Sequence, residues 1–343
     1  MEFRLAFIGF GTVGKGLMEL LISKENQLKK QEDFQFKIVA IHDLLLGTLH
    51  NDNGVDGALA LKLAEKQKSL KEHPDSVTGW DARKIIAETS ANTIVEITPT
   101  NIKTGEPGLT HVRMALQNKK HVVTTNKGPV ALSLLELQQL AVQNGVDFRF
   151  EGTVMSGTPV FHLTETGLAG AEIRRVRGIL NGTTNYILTQ MENGIAYEEA
   201  LRDAQAKGYA EAVPDADVLG WDAKAKVLIL ANVLMNADLK EPDIPCKGIT
   251  EISLDDVQKA RAAQKRWKLI GSVEKTHSGV KAEVAPVELP ETDFLAGISG
   301  VTNALSFETD TLGAVTIIGP GAGKIETGFS LLTDLLAINR KYA

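Results

Sequence analysis

The chain has 343 residues, 43% of them hydrophobic and 23% charged, which is enough for about two domains with sizeable cores and ordinary for a soluble globular protein. A net charge of −6 speaks against a nucleic-acid surface, and no run of about 18 apolar residues is present to span a membrane. Cys246 is the single cysteine, so no intrachain disulfide and no CxxC metal pair can be drawn. Glu2 and Arg4 ahead of a glycine-rich turn are unlike a secretory leader, and the expected compartment is the cytoplasm.

Residues 3–8 are an apolar run of strand length, followed by Gly9-Phe10-Gly11-Thr12-Val13-Gly14 and then by Val13, Leu17, Leu20, Leu21 and Leu28 at helical spacing. A merely tight turn uses glycines too. Here, however, G-x-G-x-x-G stands between a strand and a helix, where backbone can approach a pyrophosphate whose charge meets the helix N-terminus. A second strand over 36–41 ends in His42-Asp43, and an acid at that tip suits the hydroxyls of an adenosine ribose. Asp43 lies farther past Gly14 than the usual ~20 residues, as a long first helix explains. No Arg follows it, so NAD is the easier cofactor to accommodate, although Lys62, Lys66 or Lys68 could reach in for NADP.

Further strands are expected over 93–97 and 121–124, with helices over 108–118 and 131–144. The alternation implies an α/β fold with a Rossmann-type, doubly wound parallel sheet, whose ligands sit beyond the carboxyl ends of the strands. Thr98, Asn126 and Lys127 fall at such ends, Lys127 in a turn fixed by Gly128 and Pro129. After a strand over 147–151 the order changes. Sheet-like runs (172–180, 268–275, 280–287) mix with helices (181–193, 197–207, 218–235, 254–265), a second, α+β domain. The tail from Gly319 has another glycine turn before an amphipathic helix and is expected to fold back on the first domain; Ile325 after Gly323-Lys324 excludes a Walker P-loop. The expected division is residues 1–146 plus 319–343 against 147–318.

Residues 206–226 carry the densest chemistry: Glu211, Asp215, Asp217 and Asp222 precede Lys226. Such a run is ordinarily a solvated loop. From Gly220 on, though, the helix becomes apolar on nearly every side, and Asp222 and Lys226 share a face that continues through Ile229 and Val233. An acid and an ammonium at the mouth of a buried helix suit chemistry shielded from bulk water.

Four motifs then carry a resemblance: GFGTVG at 9–14, TTNKGPVAL at 124–132, GILNGTTNYIL at 178–188 and KGYAEAVPDADVLGWDAKAK at 207–226. Over nearly its whole length the chain resembles homoserine dehydrogenase. The resemblance implies reversible hydride transfer between NAD or NADP and the L-homoserine/L-aspartate 4-semialdehyde pair, in threonine, isoleucine and methionine biosynthesis, by a homodimer. By motif position Glu211, Asp217 and Asp222 resemble the substrate-binding acids, Lys226 the proton donor, and Lys127 a lysine at the cofactor and substrate boundary. The candidate cofactor residues are Phe10, Gly11, Thr12, Val13, Gly14, Asp43, Thr98, Asn126, Lys127, Gly208, Gly321 and Gly323. The family also suggests a monovalent cation, Na⁺, at Glu151, Val154, Ser156 and Thr158, where one carboxylate with backbone carbonyls offers hard oxygen ligands of little total charge. Val213 departs from the family's usual Asp, and the chain lacks the length of members with a regulatory extension. Two other readings fit the same nucleotide fold: another NAD(P)-dependent amino-acid or semialdehyde dehydrogenase, and a non-catalytic nucleotide sensor, against which Lys226 and Asp222 speak.

Overall fold

The computed structural model describes residues 2–342. It forms two compact units, one holding the described residues up to Pro159 and from Gly323 on, the other Val160–Ala322. The first division falls later than the expected 146/147 because residues 148–149 still pair with the preceding strand and the segment after them packs on the C-terminal helix.

In the first unit the elements are β1 (Glu2–Ile8), α1 (Thr12–Glu32), β2 (Gln35–Asp43), β3 (Gly47–His50), α2 (Gly57–Lys66), β4 (Ser76–Val77), α3 (Ala82–Glu88), β5 (Thr93–Glu96), α4 (Gly108–Gln117), β6 (His121–Thr124), α5 (Lys127–Asn144) and β7 (Phe148–Arg149). The sheet order is β4-β3-β2-β1-β5-β6-β7. From β2 to β7 the strands are parallel, and β3 and β4 add an antiparallel edge that periodicity had not suggested. The chain leaves β1 toward β2 and returns on its other side at β5, so the topological switch lies at the carboxyl end of β1, where this class of sheet takes its ligand. Phe3, Leu5 and Phe7 of β1 are fully buried, as an apolar strand in mid-sheet requires. One expected start is corrected: a first helical stretch of α5 begins at Lys127, where the Asn126 side chain accepts from Gly128 N and caps it, and a kink at Ser133 (φ −143°) separates it from the stretch that runs on to Asn144. Gly128 and Pro129 therefore lie in the first helical turn, where a missing N–H costs nothing.

The second unit comprises β8 (Ile173–Ile179), α6 (Gly182–Glu192), α7 (Tyr197–Ala206), α8 (Asp215–Val218), α9 (Trp221–Leu234), α10 (Leu254–Ala262), β9 (Lys265–Thr276), β10 (Gly279–Pro290), β11 (Thr302–Thr309) and β12 (Gly313–Pro320). These strands form an antiparallel sheet in the order β10-β9-β8-β11-β12. The expected helix over 218–235 is two helices, broken at Gly220, whose φ of +83° ends the first and starts the second. α9 packs closely on β9: a side chain on Gly271 would meet Val227 Cγ2 at 2.6 Å, so the absence of one sets the depth of the residue beside Lys226.

α11 (Lys324–Tyr342) returns to the first unit and inserts Leu331, Leu332, Leu335 and Ile338 into the core that β1 and α1 share. It crosses α1 backbone against backbone. A Cβ on Gly16 would sit 2.0 Å from the Lys324 carbonyl oxygen, and one on Gly328 would sit 2.5 Å from Leu17 N.

Candidate active site

The glycine loop between β1 and α1 uses its three glycines differently. Gly9 has φ +100° and a side chain there would stand 2.6 Å from Ile97 O, while one on Gly14 would meet Ile97 Cδ1 at 2.8 Å. Around Gly11 nothing lies within 4 Å. Two glycines thus close the turn and seat the helix, and the middle one leaves space above the backbone. Thr12, Val13 and Gly14 begin α1, whose first turn holds no acid and whose leading N–H groups lack intrahelical acceptors. Such a helix start, with an open glycine ahead of it, can receive an anion. Phe10 contributes backbone only, its ring being buried; its N–H donates to Asp43 Oδ2 at 2.9 Å. Asp43 Oδ1 accepts from Leu45 N at 2.9 Å and Leu46 N at 3.1 Å, so this carboxylate fastens the turn after β2 to the glycine loop. Leu44 and Leu45 beside it are 85% and 92% exposed.

On the other side of the switch, the carboxyl ends of β5 and β6 are bound by side chains. Glu96 accepts from the Thr98 backbone N–H at 3.2 Å and from its hydroxyl; Thr124 donates its hydroxyl to Glu96 O at 2.7 Å. Asn126 N donates to Thr124 Oγ1 at 3.0 Å, and Asn126 Nδ2 donates to Thr98 O at 3.3 Å. Lys127 follows as the first residue of α5.

In the second unit Asn181, capping α6 through Thr184 N, gathers the acids. Its Nδ2 donates to Asp217 Oδ1 at 2.7 Å and to Asp222 Oδ2 at 3.1 Å. Lys226, 7% exposed, donates to Asp222 Oδ2 at 2.7 Å and to Leu180 O at 2.6 Å. Burial pushes the Asp217 carboxyl above its usual range, with the neighbouring Asp222 charge adding to the shift. Glu211 and Asp215 are exposed ahead of this group and take no part in its bonds. Gly208 ends α7 with φ +74°. A side chain on Gly321 would strike the buried Asn303 amide at 2.2 Å, and Gly323 has a φ of +144°, so local packing at the first and backbone conformation at the second favour glycine.

The loop over 151–158 is buried against α11. Glu151 N donates to Asp334 Oδ2 at 2.9 Å, Ser156 Oγ pairs with Thr327 Oγ1 at 2.7 Å, and Val154, Ser156 and Thr158 are all buried. Met155 and Ser156 adopt φ of 58° and 54°, a left-handed reversal rare for such residues. Glu151 and Asp334 bring buried carboxylate oxygens within 4.8 Å of each other.

Residues 9–151 match the family model described as homoserine dehydrogenase, NAD binding domain, and residues 159–336 the model described as homoserine dehydrogenase. The chain belongs to the homoserine dehydrogenase family. It is 46% identical over 340 residues to an NAD(+)-dependent homoserine dehydrogenase of Pseudomonas canavaninivorans, covering 99% of this chain and 97% of that one. To the homoserine dehydrogenase of Methanocaldococcus jannaschii it is 39% identical, over 97% of this chain and 98% of the other. Among solved structures, a hyperthermophilic archaeal homoserine dehydrogenase in complex with NADPH superposes with a TM-score of 0.85 at 29% identity, covering 100% and 99% of the two chains. A homoserine dehydrogenase from Thiobacillus denitrificans gives 0.86 at 29%, with all of this chain matching 74% of that one.

Two members of the site escaped the sequence reading. Asn181 stood inside the homoserine dehydrogenase motif GILNGTTNYIL, and Asn at a strand-to-helix junction is a capping signal that marks a fixed side chain. Glu96 ended an apolar strand and gave no such signal. Val213, the departure from the homoserine dehydrogenase pattern, is 72% exposed, so the loop carries it without a packing change.

Proposed function

We propose that this chain carries out the homoserine dehydrogenase reaction, interconverting L-homoserine and L-aspartate 4-semialdehyde, with Lys226 as the group that gives and takes the proton at the substrate oxygen. The carrying observation is a buried ammonium held by Leu180 O and Asp222 Oδ2, which leaves a donor of fixed direction next to a carboxylate. When bound, NAD(P) supplies hydride transfer; the rest falls to the chain's own groups. As the aldehyde is reduced, charge grows on its oxygen, and a proton from Lys226 Nζ neutralises it. Asp222 keeps the ammonium oriented, and Asn181 holds Asp222 and Asp217 together despite their like charges. Those carboxylates, with Glu211, suit the ammonium of an amino-acid substrate. Lys127, at the start of α5, is assigned to the boundary of cofactor and substrate.

Glu151, Val154, Ser156 and Thr158 would hold Na⁺: a buried carboxylate and the carbonyls of a reversed loop offer hard oxygen ligands. The enzyme is read as a cytoplasmic homodimer, and light scattering should give twice the chain mass. Among the described residues no helix is long and apolar enough to cross a membrane.

The test is Lys226→Met, which keeps much of the stem and removes the charge. It is expected to lower kcat by about 10² to 10⁴ with the NADH dissociation constant near the parent value. Turnover within about threefold of the parent in a folded variant would exclude the role and make Lys127 the leading donor. A panel of amino acids in place of homoserine separates this activity from that of another amino-acid dehydrogenase.

A further inference from the structure

We infer that Glu96 is a positioning residue that sets the nicotinamide end of the cofactor crevice, acting through Thr98 and Asn126. The inference rests on the dinucleotide reading of the glycine loop. Glu96 is the last residue of β5 and has 0% exposure. A carboxylate removed from water costs several kcal/mol unless its lone pairs are met, so its bonds identify what it is there to hold.

Oε1 accepts from the Thr98 N–H at 3.2 Å and from the Thr98 hydroxyl; Oε2 lies 3.3 Å from the Thr124 hydroxyl. The opening turn of α4 closes over the acid, since a side chain on Gly108 would come within 3.2 Å of Oε2. His111, one turn along α4, places Nδ1 3.5 Å from Oε1. A threonine hydroxyl has one proton, and Thr98 gives it to Glu96. Toward Asn126 that hydroxyl can therefore only accept, at 3.4 Å from Nδ2, and together with the Thr98 carbonyl oxygen, 3.3 Å from the same nitrogen, it sets which way the Asn126 amide faces. The Asn126 oxygen is then the one that receives Gly128 N at 3.1 Å and caps the helix that Lys127 opens. One buried charge thus sets the Thr98 hydroxyl rotor and, through it, reinforces the amide orientation that caps the helix.

These atoms sit where the far end of an extended dinucleotide must come. Asp43 marks the adenosine side at the tip of β2, and the crevice crosses the switch at β1 to the ends of β5 and β6. Nothing in the strand ladder calls for an acid, because Glu96 already pairs through its backbone with Ile8 and Thr124.

The test compares the binding of NADH and ADP-ribose, which shares the adenosine and pyrophosphate but lacks nicotinamide, by calorimetry on the full-length parent, Glu96→Ala, Glu96→Gln and Thr98→Val. Glu96→Ala and Thr98→Val are expected to weaken NADH about tenfold, the equivalent of a lost charge-assisted hydrogen bond, with ADP-ribose within about twofold of the parent. Glu96→Gln keeps an acceptor for Thr98 and should restore most of the NADH affinity. Equal weakening of both ligands, which a merely structural role would produce, or no weakening of either, overturns the inference. Should Glu96→Ala not fold, Thr98→Val gives the same comparison at the partly exposed link. Failure of the parent itself to bind ADP-ribose would refute the dinucleotide reading beneath the inference, a result distinct from the others.

Discussion

Asp217 shows what a single side chain is asked to bear. Its carboxyl is held above the ordinary range by burial and by Asp222, while the bond from Asn181 pulls it down. A folded-state value above the unfolded one, about 3.9, means that the native protein binds the proton more tightly. Its contribution is therefore most favourable at low pH and declines as pH rises through the folded value, leaving a residual cost at pH 7. Asp217→Asn should raise the melting temperature at pH 7 by roughly 2 °C or more and lose that advantage near pH 4, while turnover falls. Thermal scans at the two pH values decide it; a lower melting temperature at pH 7 would show that Asp217 stabilises the fold. Lys226 was legible at this scale because its helix turns apolar directly after it. Glu96 was not, because the last residue of a four-residue strand carries no periodicity that separates an inward acid from an outward one.

Among elements, the turn after β2 and the crossing of α1 with α11 carry the most consequence. With Asp43 committed to three backbone donors and Leu44 and Leu45 exposed beside it, the turn presents no cation of its own to a 2′-phosphate. NAD should match or exceed NADP in kcat/KM. A preference for NADP of roughly a hundredfold, about 2.7 kcal/mol, would place a phosphate-reading base elsewhere. At the crossing, Gly328→Val would force two helices apart where they touch through backbone. Overpacking of this kind costs about 1 to 3 kcal/mol, and because α1 carries the glycine loop, the variant should lose NADH affinity as well as thermal stability. Unchanged affinity in a destabilised variant would uncouple α11 from the loop. The glycine loop could be read from sequence since its spacing is local. β11 and β12 could not: they mix polar and apolar residues, β12 has no buried residue to mark an inner face, and β11 finds its partner β8 far back in the chain.

At the scale of the whole molecule, alternation of strand and helix announced the first unit, and its loss after residue 147 announced the second. What composition could not convey is how far α11 belongs to the first core. Leu331, Leu332, Leu335 and Ile338 are fully enclosed there, so a chain ended before Gly323 should not bind NADH and should expose apolar surface to a dye such as ANS. Tight NADH binding by that truncated chain would contradict it.

That arrangement also sets an order in time. A ribosome adding about 5–20 residues each second delivers β1 through β7 early, then spends many seconds on Val160–Ala322 before α11 emerges. Throughout that interval the face of α1 that will meet Gly328 and Leu331 has no cover. The nascent first unit must wait, half clothed, for the last helix to arrive, and the second unit can mature before the one that precedes it.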